Sequence, residues 1–595
     1  MKLNFSLKNL ISSLFLIFVL GAAISDQTGH QETVNTVMDR VVTKLYRDLN
    51  AQQLAAINES FILGFLDKNE KHTLATKFWT FDVNVPVTVS LMRHNKQQEI
   101  PFWMIESGFK KTKMVVKNEE YDYEVWQKDF ERGKVELGIN GFDKHRPVYF
   151  ISVAPQNSGE NLKVTNAYPS AYPLSVMKKG AFIYHDWDGL VLTEVPEKLQ
   201  GQILFTTVRG RAREAHLIDA FRKTEIPSSA RPDQIMLTMS GDPKTTMDIQ
   251  WRTKESLNTG IVRYWQKNSR DTLLAKAVSF KMEDRLLQND RFVLRHTVKL
   301  GNLHPGTTYH YMVGSEQAGW SDTASFTTDK PGDEGFSFIW FGDTHKSEIW
   351  GDMAQKAWKR HPEISFFDIA GDLVTTGLNR DEWDELWKHS GNVFRSKPLM
   401  PVPGNHDSQD GLGAGMYQEM FSLPANGPEG LPKEMTYAFN YQDALFVMLD
   451  ATLSVPAQTA WLEEKLKKST AKWKFVFFHF PPYNFVEPYD EIRREWCTLF
   501  DKYHVDMVMS GHMHYYLRTK PMNNGKTMSS AAEGTIYTMS ISIPGKQEQW
   551  PDEEYAVKRY QDGPLYQHIS MKGNILTYKC LNPEGVLKDA FEIVK

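Results

Sequence analysis

Cysteine is almost missing from this chain of 595 residues, which holds Cys497 and Cys580 and no others. Two thiols exclude a disulfide framework and a four-thiolate zinc site and leave room for one bridge at most. Their surroundings favour a simpler role. Cys497 shares a helical stretch with Trp496 and Phe500, and Cys580 lies in the strand-like run 576–581, so both read as small buried apolar residues. An excess of charge is missing too, since 69 Lys and Arg against 73 Asp and Glu leave a net of −4. That balance excludes a dedicated polyanion binder, and with it nucleic acid as the main partner. After the N-terminal run at residues 10–20, no stretch is long and apolar enough to span a membrane. What is present is ordinary for a folded protein: 41% hydrophobic, 24% charged and 12% aromatic residues exclude a disordered, collagenous or coiled-coil chain. At about 100–200 residues per domain, the length fits roughly three to five domains.

Lys2 and Lys8 precede the apolar run 10–20, and Ala23-Ile24-Ser25 offers small residues at a cleavage site before Asp26. Residues 1–25 therefore read as a signal peptide of a secreted or periplasmic protein; the run is only half the roughly 20 residues of a spanning helix. From 31 to 66 the residues Val34, Val37, Met38, Val41, Val42, Leu45 and Leu49 recur at helical spacing and predict an amphipathic helix. Short β-like runs such as 85–91 and 148–153 follow, so residues 26–227 read as a helix plus a β-rich domain of unassigned role. Its Trp79, Trp103, Trp126 and Trp187 suit core packing better than the alternative, a platform for glycan contact. The basic cluster Arg209-Gly210-Arg211-Ala212-Arg213 reads as a solvated helix face ahead of a linker at 227–232.

Residues 228–329 alternate in segments whose length and early Trp251 suggest an immunoglobulin-like β-sandwich. The stretch from Leu303 to Tyr311 resembles a fibronectin type III corner, in which a Tyr hydroxyl ties a loop to the sheet.

After residue 332 the rhythm becomes β-α-β. Strand-like runs lead into polar tips: 336–341 into Gly342-Asp343-Thr344-His345, 366–370 into Gly371-Asp372, and 399–403 into Gly404-Asn405-His406-Asp407. Further on, 475–478 delivers His479, and 505–510 delivers Gly511-His512-Met513-His514. Open α/β sheets bind ligands at the carboxyl ends of their strands, and a glycine ahead of each ligand is expected to turn the backbone sharply. The donors Asp343, His345, Asp372, Asn405, His479, His512 and His514 mix carboxylate, amide and imidazole, which suits Zn, Fe or Mn better than Ca or Mg. Seven donors exceed one tetrahedral ion and suit two ions about 3.5–4 Å apart sharing a carboxylate. The glycine-rich stretch 411–415 lacks a Gly-Lys-Ser/Thr ending and reads as a mobile loop beside this site, while His361, His389 and His504 read as structural.

These ordered blocks resemble the calcineurin-like metallophosphoesterase superfamily, and the sandwich together with His479-Phe480-Pro481-Pro482-Tyr483 is similar to the purple acid phosphatases. The resemblance covers residue 231 to the C-terminus and implies a four-layer α/β/β/α catalytic domain over 333–595. It implies Asp343, His345 and His514 on a first metal ion, Asn405, His479 and His512 on a second, and Asp372 bridging both. It further implies His406 over the scissile phosphate, stabilising its equatorial charge or protonating the leaving oxygen, with Asp407 orienting it. The purple enzymes carry a Tyr three residues after the bridging Asp and a Gly in the first motif, where this chain has Thr375 and His345. A colourless or pale site without a tyrosinate ligand is therefore expected, with the metals (Fe, Zn or Mn) left open.

The resulting expectation is an exported dinuclear phosphatase that hydrolyses small phosphate monoesters with a metal-bridging hydroxide as nucleophile and no phosphoenzyme. A phosphodiesterase or nucleotidase on the same site is the second reading, because the separating contacts lie in loops such as 408–432 and 482–491. A reading of another class is a surface glycan-binding protein with a vestigial metal domain, against which the complete ligand set argues.

Overall fold

The computed structural model describes residues 32–595 apart from 146, 170–173, 184–190, 208–210, 212, 270, 331, 333–334, 409–412, 488 and 546–550. The expected signal peptide, Trp187, Arg209 and the first two residues of the glycine-rich stretch 411–415 lie outside the described residues. Among the described residues no helix is long and apolar enough to cross a membrane.

The single helix expected over 31–66 is instead Val34–Asp48, Ala51–Leu54 and Glu59–Phe65, followed by Lys68–Thr76. The apolar stripe from Val34 to Leu45 is buried as its spacing requires. Capping side chains break the run: Asn50 accepts from the amides of Gln52 and Gln53, and Asn58 from that of Phe61, so each restarts a helix. Two antiparallel sheets follow, the larger with Val87–His94 and Asp122–Phe130 at its centre. Trp79, Trp103 and Trp126 are buried in the core of this β-rich domain and offer no glycan platform. Arg211 corrects the expectation of a solvated basic face: it is buried, with its guanidinium 3.6 Å from the Phe78 ring centroid and 4.6 Å from that of Trp79. A planar, weakly hydrated cation stacks on aromatic faces at little cost, and Glu214 at 3.2 Å balances its charge.

The next domain has a four-stranded sheet, ordered Asp233–Thr238, Met247–Lys254, Phe292–Leu300, Val278–Glu283, and a five-stranded sheet containing Ile261–Gln266 and Thr308–Ser315. Trp251 and Val298 from the first and Val262 and Tyr311 from the second share one core. The Tyr309 hydroxyl accepts from the His304 amide at 2.9 Å and ties that loop to the sheet.

The C-terminal domain contains two sheets. One is ordered Phe366–Ile369, Phe336–Phe341, Tyr566–Lys572, Ile575–Leu581, Leu587–Val594, with its first pair parallel. The other has Ala444–Met448, Trp473–Phe477, Met507–Ser510 and Ile536–Met539 as parallel central strands. Phe338 of the first sheet packs edge-on against Phe446, Phe475 and Phe477 of the second, at 5.3, 5.7 and 6.3 Å between centroids. The carboxyl ends of the parallel strands are thereby brought to one place. Cys497 and Cys580 are both buried and free.

The strand expected at 399–403 appears as bridges from Phe367 to Leu399 and from Ala370 to Val402; Met400 and Val402 donate to the carbonyls of Phe367 and Ile369, while Pro401 and Pro403, on the alternate side, have no N–H to offer a further strand. On that outer side the Leu399 amide donates to the Leu237 carbonyl of the sandwich at 2.9 Å. A buried charge network reinforces this junction. Asp384, on the helix Arg380–Ser390, lies 2.6 Å from Arg252 of the sandwich and 3.2 Å from Arg380, and accepts from Gln234 and Thr224. Asp384→Ala leaves two buried guanidinium groups short of a partner, so it is expected to cost about 3–5 kcal/mol in denaturant unfolding. A loss below about 1 kcal/mol, the worth of a surface pair, would contradict this account of the junction.

Candidate metal centre

Asp343 and Asp372 follow the parallel strands Phe336–Phe341 and Phe366–Ile369; His479 follows Trp473–Phe477, and His512 and His514 follow Met507–Ser510. Asn405 opens the single turn Asn405–Ser408. The glycines ahead of the ligands act differently from expectation. Of Gly342, Gly371, Gly404 and Gly511, only Gly371 has a positive φ, at 92°. Gly404 and Gly511 are needed for space: a Cβ there would lie 2.1 Å from Asp372 Oδ1 and 2.2 Å from Asp343 Oδ1, respectively. The sharp turning resides in the donors themselves, since His345, Asp372, His512 and His514 all have left-handed backbones, with φ of 42°, 52°, 77° and 45°. Such conformations cost about 1–3 kcal/mol each and gather at functional sites.

Two clusters form. In the first, His514 Nε2 lies 3.0 Å from Asp343 Oδ2 and 3.2 Å from His345 Nε2. The second brings Asp372, His479 and His512 together, with His479 Nε2 3.2 Å from Asp372 Oδ2. Asp372 joins them, its Oδ2 also 3.8 Å from His345 Nε2 and its Oδ1 accepting from the His406 amide at 2.9 Å. Asn405 stands between Gly404 and His406, both in contact with Asp372, and its amide oxygen is buried with no hydrogen-bond partner among the described residues. Nitrogen facing nitrogen in His345 and His514, beside buried carboxylates, is an arrangement that a shared proton or cation holds together. The donor set and the orphaned Asn405 oxygen fit two cations.

Carbonyl oxygens fix the tautomers, because they can only accept. Ala370 O takes the Nδ1–H of His479 at 2.8 Å, leaving Nε2 to the cluster, and Thr375 O takes that of His406 at 2.6 Å. Thr375 thus orients His406, the task that the resemblance implied for Asp407. The Asp407 carboxylate instead accepts from the amides of Leu373, Val374 and Gly404 at 3.1, 3.1 and 2.9 Å and clamps the Asp372 loop to the Asn405 loop. Burial, with Asp372 nearby, pushes Asp407 up to about 8. Burial also opposes ionisation of Asp372, but the facing rings of His479 and His406 outweigh it and hold this carboxyl well below the usual range. The same balance lowers Asp343, through His514 and His479. For His479, burial disfavours the charged ring, yet Asp372 and Asp343 raise it to about 9.

A separate group, His361, Glu363 and His568, is no comparable site. Its two rings stack at 4.2 Å and 15°, so their in-plane lone pairs run in nearly parallel planes and do not meet at one ion. The sequence reading missed Glu487, whose Oε1 lies 3.6 Å from His512 Nε2. Its only signal was an acidic residue in the loop after His479-Phe480-Pro481-Pro482-Tyr483.

Residues 232–328 match the family described as purple acid phosphatase, N-terminal domain, and residues 336–516 match calcineurin-like phosphoesterase. The chain thus carries a calcineurin-like phosphoesterase domain behind a purple acid phosphatase N-terminal domain, and in both it resembles the purple acid phosphatases. Among curated relatives, purple acid phosphatase 18 of Arabidopsis thaliana is 24% identical over 50% of this chain and 69% of its own length. Probable purple acid phosphatase 20 of the same plant is 26% identical over 48% and 69%. The solved purple acid phosphatase of yellow lupin seeds superposes with a TM-score of 0.55 at 14% identity, over 87% of this chain and 93% of its own. At that identity the likeness shows the fold, and its span reaches into the N-terminal β-rich domain.

Because His479 keeps its proton up to about pH 9 in the metal-free protein, a cation must displace it. Apparent affinity is expected to fall about tenfold per pH unit below that value, with protons released on loading near neutral pH. An affinity flat across this range would remove His479 from the ligands. Gly404→Ala, which drives a methyl into Asp372, is expected to abolish uptake of both ions, read by metal content after dialysis.

Proposed function

We propose that this metallophosphoesterase is an exported phosphatase that cleaves phosphate monoesters of small molecules at two metal ions drawn from Fe, Zn and Mn. Asp343, His345 and His514 would hold one ion, Asn405, His479 and His512 the other, and Asp372 both. The observation that carries the reading is the pair of buried clusters joined at Asp372. The Tyr309 tie supports a fibronectin III-like module over 228–329 between an N-terminal domain at 26–227 and the catalytic domain at 333–595. Two sheets facing each other through aromatic rings support the four-layer reading of that catalytic domain. Export rests on Lys2, Lys8 and the apolar run behind them.

Bound in these clusters, the two ions supply a nucleophile from water at neutral pH and Lewis acidity for the phosphoryl oxygens. The chain's own residues do the rest. His406, with Nδ1–H spent on the Thr375 carbonyl, turns Nε2 to the substrate. There a protonated Nε2 stabilises the equatorial charge and passes its proton to the leaving alkoxide as the bond from phosphorus to that oxygen breaks. Asp407 keeps the Asn405 and Asp372 loops at fixed separation, so that in-line attack meets a preset geometry.

The test is the ratio of initial rates on an aryl phosphate monoester and its bis-aryl diester, after separate reloading of metal-free protein with Mn, Zn and Fe. A ratio above one is expected. A ratio below one makes the protein a phosphodiesterase, and no turnover of either ester favours a glycan-binding protein with a vestigial centre. His406→Ala should retain both ions and lose about 10²–10⁴-fold in rate, whereas Asp372→Asn should weaken both ions together. With Thr375 in place of a tyrosine, the iron-loaded protein is expected to lack an intense visible band.

A further inference from the structure

His512 differs from His479 and His406 in what holds its outer nitrogen. Backbone carbonyls hold the outer nitrogens of His479 and His406, but a side-chain carboxylate faces His512: Glu487 Oε1 lies 3.6 Å from its Nε2. That carboxylate is only 12% exposed, and its ion-pair partner among the described residues is His512. A carboxylate so placed, close to a centre already holding Asp343 and Asp372, is costly unless it faces a proton donor.

The loop delivering it is built for the purpose. Asn484 Oδ1 accepts from the amides of Val486 and Glu487, both at 2.7 Å, while its Nδ2 donates to Pro481 O at 2.9 Å and Glu487 O at 2.8 Å. The hydroxyls of Tyr515 and Tyr555 pin the same loop, one accepting from the Phe485 amide and the other donating to Asn484 O. Tyr489 donates its hydroxyl to Glu487 Oε2, leaving Oε1 for His512. Phe480 lies between, its ring 4.8 Å from that of His512 and 5.2 Å from that of Tyr489, and limits the turning of both.

We propose that Glu487 is a positioning residue for the second metal ion: its carboxylate, paired with His512 across 3.6 Å, keeps that ring's proton on Nε2 and so leaves Nδ1 as the ligating atom. The proposal rests on the dinuclear reading above. It gives one ion two imidazoles held in opposite tautomers, His479 by a neutral carbonyl and His512 by a charged carboxylate that makes the ring a stronger donor.

The experiment is calorimetric titration of the full-length metal-free protein with zinc, for wild type, Glu487→Ala, Glu487→Gln and Tyr489→Phe, with thermal unfolding of each metal-free form. Wild type should take two equivalents. Glu487→Ala should weaken one of them about ten- to hundredfold and leave the other and the unfolding temperature unchanged. Glu487→Gln, whose amide oxygen still accepts, should recover most of that loss. Equal weakening of both equivalents, wild-type binding by Glu487→Ala, or no recovery by Gln would overturn the role. If Glu487→Ala does not fold, Tyr489→Phe must still weaken the same single equivalent, and its failure to do so overturns the role as well. A wild type that takes fewer than two equivalents removes the dinuclear reading and this proposal with it, an outcome distinct from the others.

Discussion

A carboxylate buried in a protein is tolerable only when donors surround it, and Asp372 turns that requirement into architecture. Its Oδ1 takes the amide of His406, its Oδ2 faces His479 and His345, and its backbone carbonyl takes the amides of Thr344 and His345. Each donor comes from a different part of the chain or from the tip of a different strand. None can move far without leaving a charge uncompensated, so the loops at the strand ends assemble around one another rather than each finding its own place.

The frame outside this hub repeats the same logic with weaker partners. Asp407 gathers three amides and fixes the distance between two ligand loops. The segment ahead of Asn405, its outer edge closed to a further strand by prolines, is tied on that side to the sandwich through Leu237. Behind it, Asp384 and the two arginines that share it bind the helix Arg380–Ser390 to the sandwich. The domain that holds no ligand therefore carries part of the load of positioning one.

The clustering of the candidate donors was legible in the sequence because apolar strand runs and the polar residues ending them are both local patterns, and sheet geometry sends such ends to one place. The sandwich was legible for the same reason, from alternation and the Tyr309 corner. What stayed hidden depends on partners distant in sequence. Nothing local marks Arg211 as the residue whose guanidinium lies over Phe78 and Trp79, or Asp407 as an acceptor of amides from a loop more than thirty positions earlier. The breaks at Asn50 and Asn58 are local and could have been seen: two capping residues interrupt a periodicity that alone suggests continuity. The glycines were seen for the wrong reason, since space for a neighbouring carboxylate, not freedom of φ, is what Gly404 and Gly511 provide.

The bond from Leu399 to Leu237 has a consequence for how such a chain can change over time. The outer margin of the sandwich, where Leu273, Leu274 and Val278 stand exposed, answers only to its own folding and is free to drift. The inner strand Asp233–Thr238 is tied to the candidate metal centre as well, because Leu237 holds Leu399 at the head of the segment that leads to Asn405. One module thus ages at two rates. A recombination that replaced it wholesale would inherit the slow face as an incompatibility, even though no residue of that face touches an ion.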